Sequence, residues 1–161
     1  MFLSLRKATL GLILATAAIT IISLSAQAGD PLTGTWELNL AKSNFGNVPA
    51  PKSQTRTYEA TGQQDKMTGE IIYADGKRVT LQYTANRDGK DYPFEGWAMA
   101  DTISLTPVDT LTATYTQKKE GKVVGGGTRV ISKDGKTMTI SFKGTDPKGQ
   151  PMEFILVFDK H

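Results

Sequence analysis

The sequence contains no cysteine, and its single histidine is the C-terminal residue, His161. Without a thiol, the chain can form neither a disulfide nor a Cys–His nucleophile. One terminal imidazole also excludes a Ser-His-Asp triad and a histidine-based metal site. Paired carboxylates, such as Glu59 with Glu70, stay open as acid–base candidates. We therefore expect a protein without catalytic activity, cofactor or metal that folds without disulfides.

The sequence also has little net charge outside its N-terminal segment. Of 19 Lys+Arg and 16 Asp+Glu, residues 1–28 contain two of the cations, Arg6 and Lys7, and none of the anions. The remaining residues carry 17 basic and 16 acidic side chains, a net charge of +1. The lysines are scattered mainly through turns and do not form a basic face with aromatic neighbours. Nucleic acid is therefore not an expected partner.

The N-terminal segment, residues 1–28, is typical of a secretory signal peptide. Arg6 and Lys7 supply its positive start, and Ala26 and Ala28 supply the small residues of a cleavage site after the apolar stretch "ATLGLILATAAITIISL". We expect cleavage after Ala28 and export to the periplasm or the extracellular medium, with no stable membrane insertion afterwards. An uncleaved membrane anchor is the alternative, because the apolar run is close to the shortest that can span a bilayer.

Turn sequences recur along residues 29–161, whereas apolar residues at helical spacing do not. The turns read "ADGK", "RDGK", "KEGK" and "KDGK", and Asp-Gly accepts the positive φ angles of tight hairpins. Between them, apolar and polar residues alternate as in strands that bury one face. One helical turn is expected around Ala41–Asn44. The predicted strands are 33–40, 53–60, 66–73, 78–86, 91–97, 101–107, 110–118, 122–132, 137–143 and 151–159.

Many short antiparallel strands joined in sequence must either leave exposed edges or close on themselves. We therefore predict one all-β domain, residues 29–161, folded as an antiparallel up-and-down β-barrel of eight to ten strands. A two-sheet sandwich is the alternative. Residues 154–158 are apolar on both faces, which predicts a last strand that is covered on both sides or that closes the sheet against the first.

The first predicted strand begins with Gly34-Thr35-Trp36, a Gly-x-Trp that resembles the signature of the calycin superfamily of lipocalins, fatty-acid-binding proteins and avidins. The stretches "GTWELNLAKSNFG", "DGKDYPFEG" and "GTRVISKDGKTMT" are similar to bacterial secreted proteins described as lipocalin-like. The resemblance implies that Gly34 permits close backbone approach, that Trp36 seals the narrow barrel end and that Arg129 packs across the tryptophan. A plain core tryptophan beside a turn glycine is the alternative.

Candidate site residues lie on the predicted inward faces. Arg56 shares a face with Tyr58, and if that face points inward the arginine needs an anionic partner, either a protein carboxylate or a ligand headgroup. An exposed arginine at a strand edge is the alternative. The segment "DYPFEGWAMAD" either lines a lipophilic cavity or fills the core of a small barrel. The candidate ligand-binding residues are Arg56, Tyr58, Tyr83, Tyr92, Phe94, Trp97, Tyr115 and Phe142.

Two further stretches bear on the site. The polar "AKSNFGNVPAPKSQ" is too long for a tight hairpin, so it either covers an open barrel end as a lid, with Phe45 as its apolar contact, or is a plain surface connection. The glycine-rich "VVGGGTRV" leads into a strand instead of a helix, so it cannot cradle a phosphate. We expect a bulge or a sharp bend there.

These observations favour an exported, monomeric barrel that binds a small apolar or amphipathic molecule in its interior. The alternative is a periplasmic protein-interaction module such as a protease inhibitor, because one bacterial family of metalloprotease inhibitors is also a small calycin barrel. Interior volume separates the two. A ligand binder should keep a mostly apolar cavity of about 300 Å³ or more, whereas an interaction module should fill its barrel with side chains.

Overall fold

The computed structural model describes residues 29–161, and the predicted signal peptide, residues 1–28, lies outside the described residues. Ten strands form in the described part, and each corresponds to one of the predicted strands. They are β1 (Gly34–Leu38), β2 (Ser53–Thr61), β3 (Gln64–Ile72), β4 (Arg78–Asn86), β5 (Tyr92–Glu95), β6 (Thr102–Pro107), β7 (Thr112–Lys119), β8 (Lys122–Ile131), β9 (Thr137–Thr145) and β10 (Pro151–Lys160).

The strands close into one antiparallel barrel in the order β1-β10-β9-β8-β7-β6-β5-β4-β3-β2. β1 pairs with β2 on one side and with β10 on the other, where Trp36 lies opposite Lys160 and Leu38 lies opposite Phe158. The first and last strands therefore meet. This pairing confirms the predicted barrel and excludes the two-sheet sandwich.

The alternation in β4 illustrates why the strands form where they do. Leu81, Tyr83 and Ala85 are buried. Thr80, Gln82 and Thr84 are exposed on the other face, because successive side chains of a pleated strand point to opposite sides. Burial of one apolar face per strand produces a single core inside the barrel.

The expected helical turn around Ala41–Asn44 is wrong, and residues 29–161 contain no helix that could cross a membrane. Residues 40–42 form a turn, Asn44 forms an isolated bridge, and residues 46–47 form a second turn. The backbone N–H and C=O of Asn44 each bond to Ile155 of β10, both at 2.7 Å. This pairing satisfies backbone groups that a helical turn would have satisfied locally.

The two ends of the barrel differ. At the N-terminal end, residues 29–33 lie beside the turns that follow β2, β4, β6 and β8. Leu32 is buried there, and its carbonyl accepts a hydrogen bond of 2.9 Å from Trp36 Nε1. At the loop end, residues 39–52 connect β1 to β2 beside the turns that follow β3, β5, β7 and β9. The N-terminal end is therefore closed by apolar side chains, and the loop end adjoins the cavity described next.

Candidate functional site

The barrel interior contains a cavity of about 80 Å³ with a mostly apolar wall. Tyr92 is not on this wall, because it lies near the N-terminal end and its hydroxyl donates to Asp88 Oδ2 at 3.0 Å. The other predicted site residues do lie on the wall. They are Arg56, Tyr58, Tyr83, Phe94, Trp97, Tyr115 and Phe142.

Side chains fill most of the barrel around this cavity. Phe94 meets Tyr83 edge to face with ring centres 5.8 Å apart, and Phe142 stacks on Phe154 with ring centres 5.0 Å apart. The cavity of about 80 Å³ is therefore smaller than the roughly 300 Å³ that we expected of a ligand binder. Much of the aromatic content serves as core, which is one of the two roles predicted for it.

A second chamber of about 50 Å³ lies at the loop end. Phe45 and Val48 of the connecting loop line it, together with Tyr73 at the end of β3. Trp97 and Phe154 line both this chamber and the main cavity. The two spaces therefore adjoin at these side chains and at Gln54, Ile71 and Leu156, which also line both. Phe45 occupies the position predicted for the apolar contact of a lid.

The connecting loop is tied to β10 along its first half. The Ser43 hydroxyl donates to the Asn39 carbonyl at 2.7 Å and accepts from the Val157 N–H at 2.9 Å. Asn44 pairs with Ile155 immediately afterwards. Because of these bonds, a movement of the whole loop would break pairing with β10, whereas rotation of a side chain such as Phe45 would not.

Arg56 points inward from β2 and lines the cavity, so the alternative of an exposed edge arginine is wrong. Its guanidinium carbon lies 5.2 Å from the centre of the Phe158 ring. With the Gln54 amide turned so that its oxygen faces the guanidinium, that oxygen accepts hydrogen bonds from Arg56 Nε at 3.0 Å and Nη2 at 3.1 Å. Within residues 29–161, no carboxylate oxygen lies within 4.0 Å of this guanidinium. Arg56 is therefore a half-buried cation with neutral neighbours.

A balanced group of charges, the ion cluster, lies on the N-terminal side of the cavity and consists of Asp30, Asp65, Arg87 and Arg129. Asp65 is fully buried and accepts hydrogen bonds from Arg87 Nε and from Arg129 Nη2, both at 2.7 Å. Arg87 Nη2 also donates to Asp30 at 2.8 Å. Two carboxylates thus neutralise two guanidinium groups. Neither carboxylate forms an ion pair with Arg56.

Burial shapes the protonation of the interior phenols and of Arg129. Burial alone would lower the pKa of Arg129, but nearby Tyr83, Tyr58 and Asp65 outweigh it and raise that pKa above its usual range. Burial also raises the pKa of Tyr83 and of Tyr115 above that of a free phenol. Both phenols therefore stay neutral. The Tyr115 hydroxyl donates to the Ser141 carbonyl at 2.6 Å.

Comparisons with known proteins address the fold. No family model and no curated protein matches the sequence. Zebrafish ileal bile acid-binding protein, solved in complex with cholic acid, is 12% identical with a TM-score of 0.50, and the match covers 81% of this chain and 99% of that one. The siderocalin Ex-FABP is 10% identical with a TM-score of 0.42, covering 81% of this chain and 71% of that one.

This chain has a calycin-like fold. In this barrel Trp36 is fully buried, and Lys160 lies across its ring. Lys160 Nζ is 4.9 Å from the centre of the Trp36 ring and donates to the Pro31 carbonyl at 2.9 Å. A Cβ on Gly34 would lie 2.8 Å from Lys160 Cε, so the glycine leaves room for the lysine.

The predicted placement of Arg129 over Trp36 is wrong. Lys160 lies opposite Trp36 in the β1–β10 register. Arg129 is on β8, and two strands, β9 and β10, lie between β8 and β1. The Arg129 guanidinium carbon lies instead 5.3 Å from the centre of the Tyr58 ring. A basic residue from a late strand does cover the tryptophan, but it belongs to the last strand of the calycin-like barrel.

The triple glycine of β8 brings that strand close to its neighbours. A Cβ on Gly125 would fall on the Phe142 ring, and a Cβ on either of the next two glycines would fall on a backbone carbonyl of an adjacent strand. The β7–β8 register shifts between Gln117 and Lys118, directly opposite this stretch, which confirms the predicted bulge. The glycines therefore leave room for the Phe142 ring and for the backbones of the neighbouring strands.

Sequence analysis missed two polar residues of the cavity wall, Gln54 and Gln117. Gln117 is only 8% exposed, and its Oε1 has no hydrogen-bond partner among the described residues. A signal was present in the alternation, because Gln54 shares the face of Tyr58, and Gln117 shares that of Tyr115. A search for polar residues on the predicted inward faces would therefore have identified both.

Glu59 and Glu70, considered above for acid–base chemistry, do not form a pair. Glu59 bonds to Lys66 at 3.1 Å, and Glu70 bonds to Arg78 at 3.0 Å. All four side chains are about half exposed or more, on the outer face of the barrel. These residues therefore form ordinary surface ion pairs.

Proposed function

We propose that this barrel binds a small amphipathic molecule in its interior and has no catalytic activity. The observation that supports the proposal is the mostly apolar cavity with its adjoining chamber at the loop end, which together give a small molecule a place inside the barrel. Affinity would come from burial of ligand hydrocarbon, at roughly 25 cal/mol per Å² before ordering costs. Polar groups on the wall would fix its orientation.

The comparison with a solved structure is in keeping with this role. The zebrafish protein of similar fold is a bile acid-binding protein and was solved with cholic acid. A likeness at 12% identity concerns the fold, so we take from it only that a protein of this fold can bind a small molecule. The ligand of the present chain has to be argued from its own residues.

Binding requires movement of side chains, because the cavity of about 80 Å³ is smaller than most ligand pockets. Trp97 and Phe154 line both spaces, and their rotation would join the main cavity of about 80 Å³ to the loop-end chamber of about 50 Å³. Trp97 is half-buried, whereas Trp36 is fully buried at the closed end. The fluorescence of Trp97 is therefore a natural readout for occupancy.

The proposal includes the compartment. We propose that the chain is exported, is cleaved after Ala28 and acts as a monomer in the periplasm or the medium. N-terminal sequencing of the protein recovered from the periplasmic fraction and from the medium tests the cleavage site and the compartment together. Recovery of uncleaved chain in the membrane fraction would support the anchor instead.

Native mass spectrometry of the protein purified from its own compartment tests the binding role. We expect a retained small molecule, or uptake of the neutral hydrophobic dye N-phenyl-naphthylamine by the empty protein. Ala113 is buried on the cavity wall, so Ala113→Leu should fill the cavity and abolish dye uptake. Thr84→Leu, on the exposed face of β4, adds an apolar side chain outside the barrel and should leave uptake unchanged.

A protein-interaction module such as a protease inhibitor is the second candidate. The small volume of the cavity favours it, because a barrel filled by side chains was the expectation for that class. Purified protein that carries no small molecule and takes up no hydrophobic dye would reject the binding role and leave this candidate in place.

A further inference from the structure

We propose that Arg56 binds the carboxylate of the ligand and that Gln117 accepts a hydrogen bond from a hydroxyl group of the same molecule. The ligand class is thus an amphipathic hydroxy acid with a single negative charge. This inference rests on the proposed binding function and adds the chemistry of the ligand to it. Two independent features of the cavity wall carry it, one for each polar group.

The first feature is the charge on Arg56. The other guanidinium on the cavity wall, that of Arg129, has its carboxylate, since Asp65 lies 2.7 Å from it. Arg56 has only the neutral Gln54 amide and the face of Phe158. A half-buried cation without an anion is unfavourable unless a partner reaches it from the cavity. The interior therefore has one positive charge available to a ligand.

The geometry of Arg56 leaves donors for that ligand. A guanidinium has five N–H donors, and Gln54 takes one from Nε and one from Nη2. The remaining donors include both of Nη1. Because the ion cluster is already neutral, the unmatched charge is that of one arginine, which a carboxylate balances and a dianionic phosphate would exceed.

The second feature is the orphan acceptor on Gln117. Its side chain is more than nine-tenths buried, lines the same cavity and leaves Oε1 without a partner among the described residues. A buried acceptor of this kind requires an N–H or O–H donor. An anion has no donor to offer, so the group that meets Gln117 has to be a different part of the ligand, and a hydroxyl supplies it.

The position of the two residues separates these groups along the ligand. Arg56 is on β2 and Gln117 is on β7, and these strands lie on opposite walls because the barrel order places five steps between them in either direction. Apolar side chains such as Leu105 and Leu156 lie on the wall as well. The carboxylate and the hydroxyl should therefore be joined by hydrocarbon.

Three matched compounds test this on the wild-type protein through Trp97 fluorescence and calorimetry: decanol, decanoate and an ω-hydroxydecanoate. We expect decanoate to bind about tenfold more tightly than decanol, and the hydroxy acid to bind more tightly than decanoate. Equal affinity for decanol and decanoate would overturn the role of Arg56. Failure of all three compounds to bind would instead overturn the proposed function itself.

Variants assign each preference to its residue. Arg56→Gln should remove the preference for decanoate over decanol, measured as the ratio of the two affinities, and Arg56→Lys should restore part of it. Gln117→Leu should remove only the preference for the hydroxy acid. Arg78→Gln, an exposed arginine on the outer face, is the control and should change nothing. An Arg56→Gln protein that still prefers decanoate by the wild-type ratio would refute the assignment, and unfolding curves confirm that each variant is folded.

Discussion

Asp65 lies 2.7 Å from Arg129 across the interior of the barrel, and no sequence motif links the two residues. The two residues belong to β3 and β8, and the same carboxylate also bonds to Arg87 at the N-terminal end. One fully buried acid therefore bonds to two cations, and Asp30 supplies the second negative charge.

Asp65→Asn should be severely destabilising. The substitution leaves two buried guanidinium groups facing one remaining carboxylate, and loss of one partner from a buried ion pair costs about 3–5 kcal/mol. Urea unfolding measures the change in the free energy of unfolding. The control is Glu70→Gln, which removes an exposed pair with Arg78 and should change stability by about 1 kcal/mol or less. Similar losses in both variants would contradict a special role for Asp65.

Lys160→Met should destabilise the N-terminal end while preserving most of the packing. The change removes the ammonium from the face of Trp36 and its hydrogen bond to the Pro31 carbonyl, together worth about 1–2 kcal/mol. Chemical unfolding and the emission wavelength of Trp36 report the effect. Arg129 does not contact the indole, so a variant at that position should leave the environment of Trp36 unchanged in the folded protein; a shift there would speak against our assignment.

Gly125→Ala should displace the Phe142 ring and cost about 1–3 kcal/mol, because the added methyl group overlaps that ring. Gly69→Ala is the matched control within a strand, since its Cβ would come no closer than 3.3 Å to any neighbour. A smaller side chain at position 142, in Phe142→Leu, should relieve part of the penalty of Gly125→Ala. A double-mutant cycle measures this relief, and strict additivity of the two changes would show that the ring is not the obstacle.

Phe45→Ala should speed release of a bound dye without loss of fold. Phe45 lines the outer chamber, whereas the hydrogen bonds that anchor the loop come from Ser43 and Asn44 and remain intact. Stopped-flow dilution of the N-phenyl-naphthylamine complex measures the rate. Leu40→Ala, at an exposed position of the same loop, is the control. If both variants release the dye at the wild-type rate, the loop is a plain connection, as the second interpretation of its sequence held.

Two of the five tyrosines should resist ionisation until the barrel unfolds in alkali. Burial raises the pKa of Tyr83 and Tyr115, so above about pH 10 the unfolded chain binds fewer protons than the folded one. The contribution of these two phenols to stability is complete below that pH. The free energy of unfolding falls as the pH rises further. Phenolate absorbance followed alongside circular dichroism checks this. Ionisation of all tyrosines before any loss of structure would contradict it.

The fold was predictable because its signals are local. Asp-Gly turns and a two-residue alternation, as in Leu81, Tyr83 and Ala85, depend only on neighbouring residues and placed all the strands within a few positions. The helical turn near Ala41 failed for the opposite reason. Its backbone bonds to Ile155, more than a hundred residues later in the chain, and local propensity contains no information about that partner.

The interior was only partly predictable for the same reason. Alternation placed Arg56 on the face of Tyr58 but left open whether that face points inward, and it did not show which charges meet inside the barrel. Asp65 is the second residue of β3, next to the turn from β2, where a carboxylate resembles an ordinary hairpin residue. The resemblance implied that its partner Arg129 packs across Trp36. The register that brings Lys160 opposite the tryptophan instead depends on how the last strand closes the barrel, which no local pattern shows.

The position of Asp30 connects the ion cluster with the predicted removal of residues 1–28. It is the second residue after the predicted cleavage site, and it supplies one of the two carboxylates that Arg87 contacts. A protease that trimmed the new N-terminus by two residues would leave Asp65 shared between two guanidinium groups. Cleavage after Ala28, as proposed, would therefore leave the barrel with its full set of compensating charges, whereas cleavage after Asp30 would not.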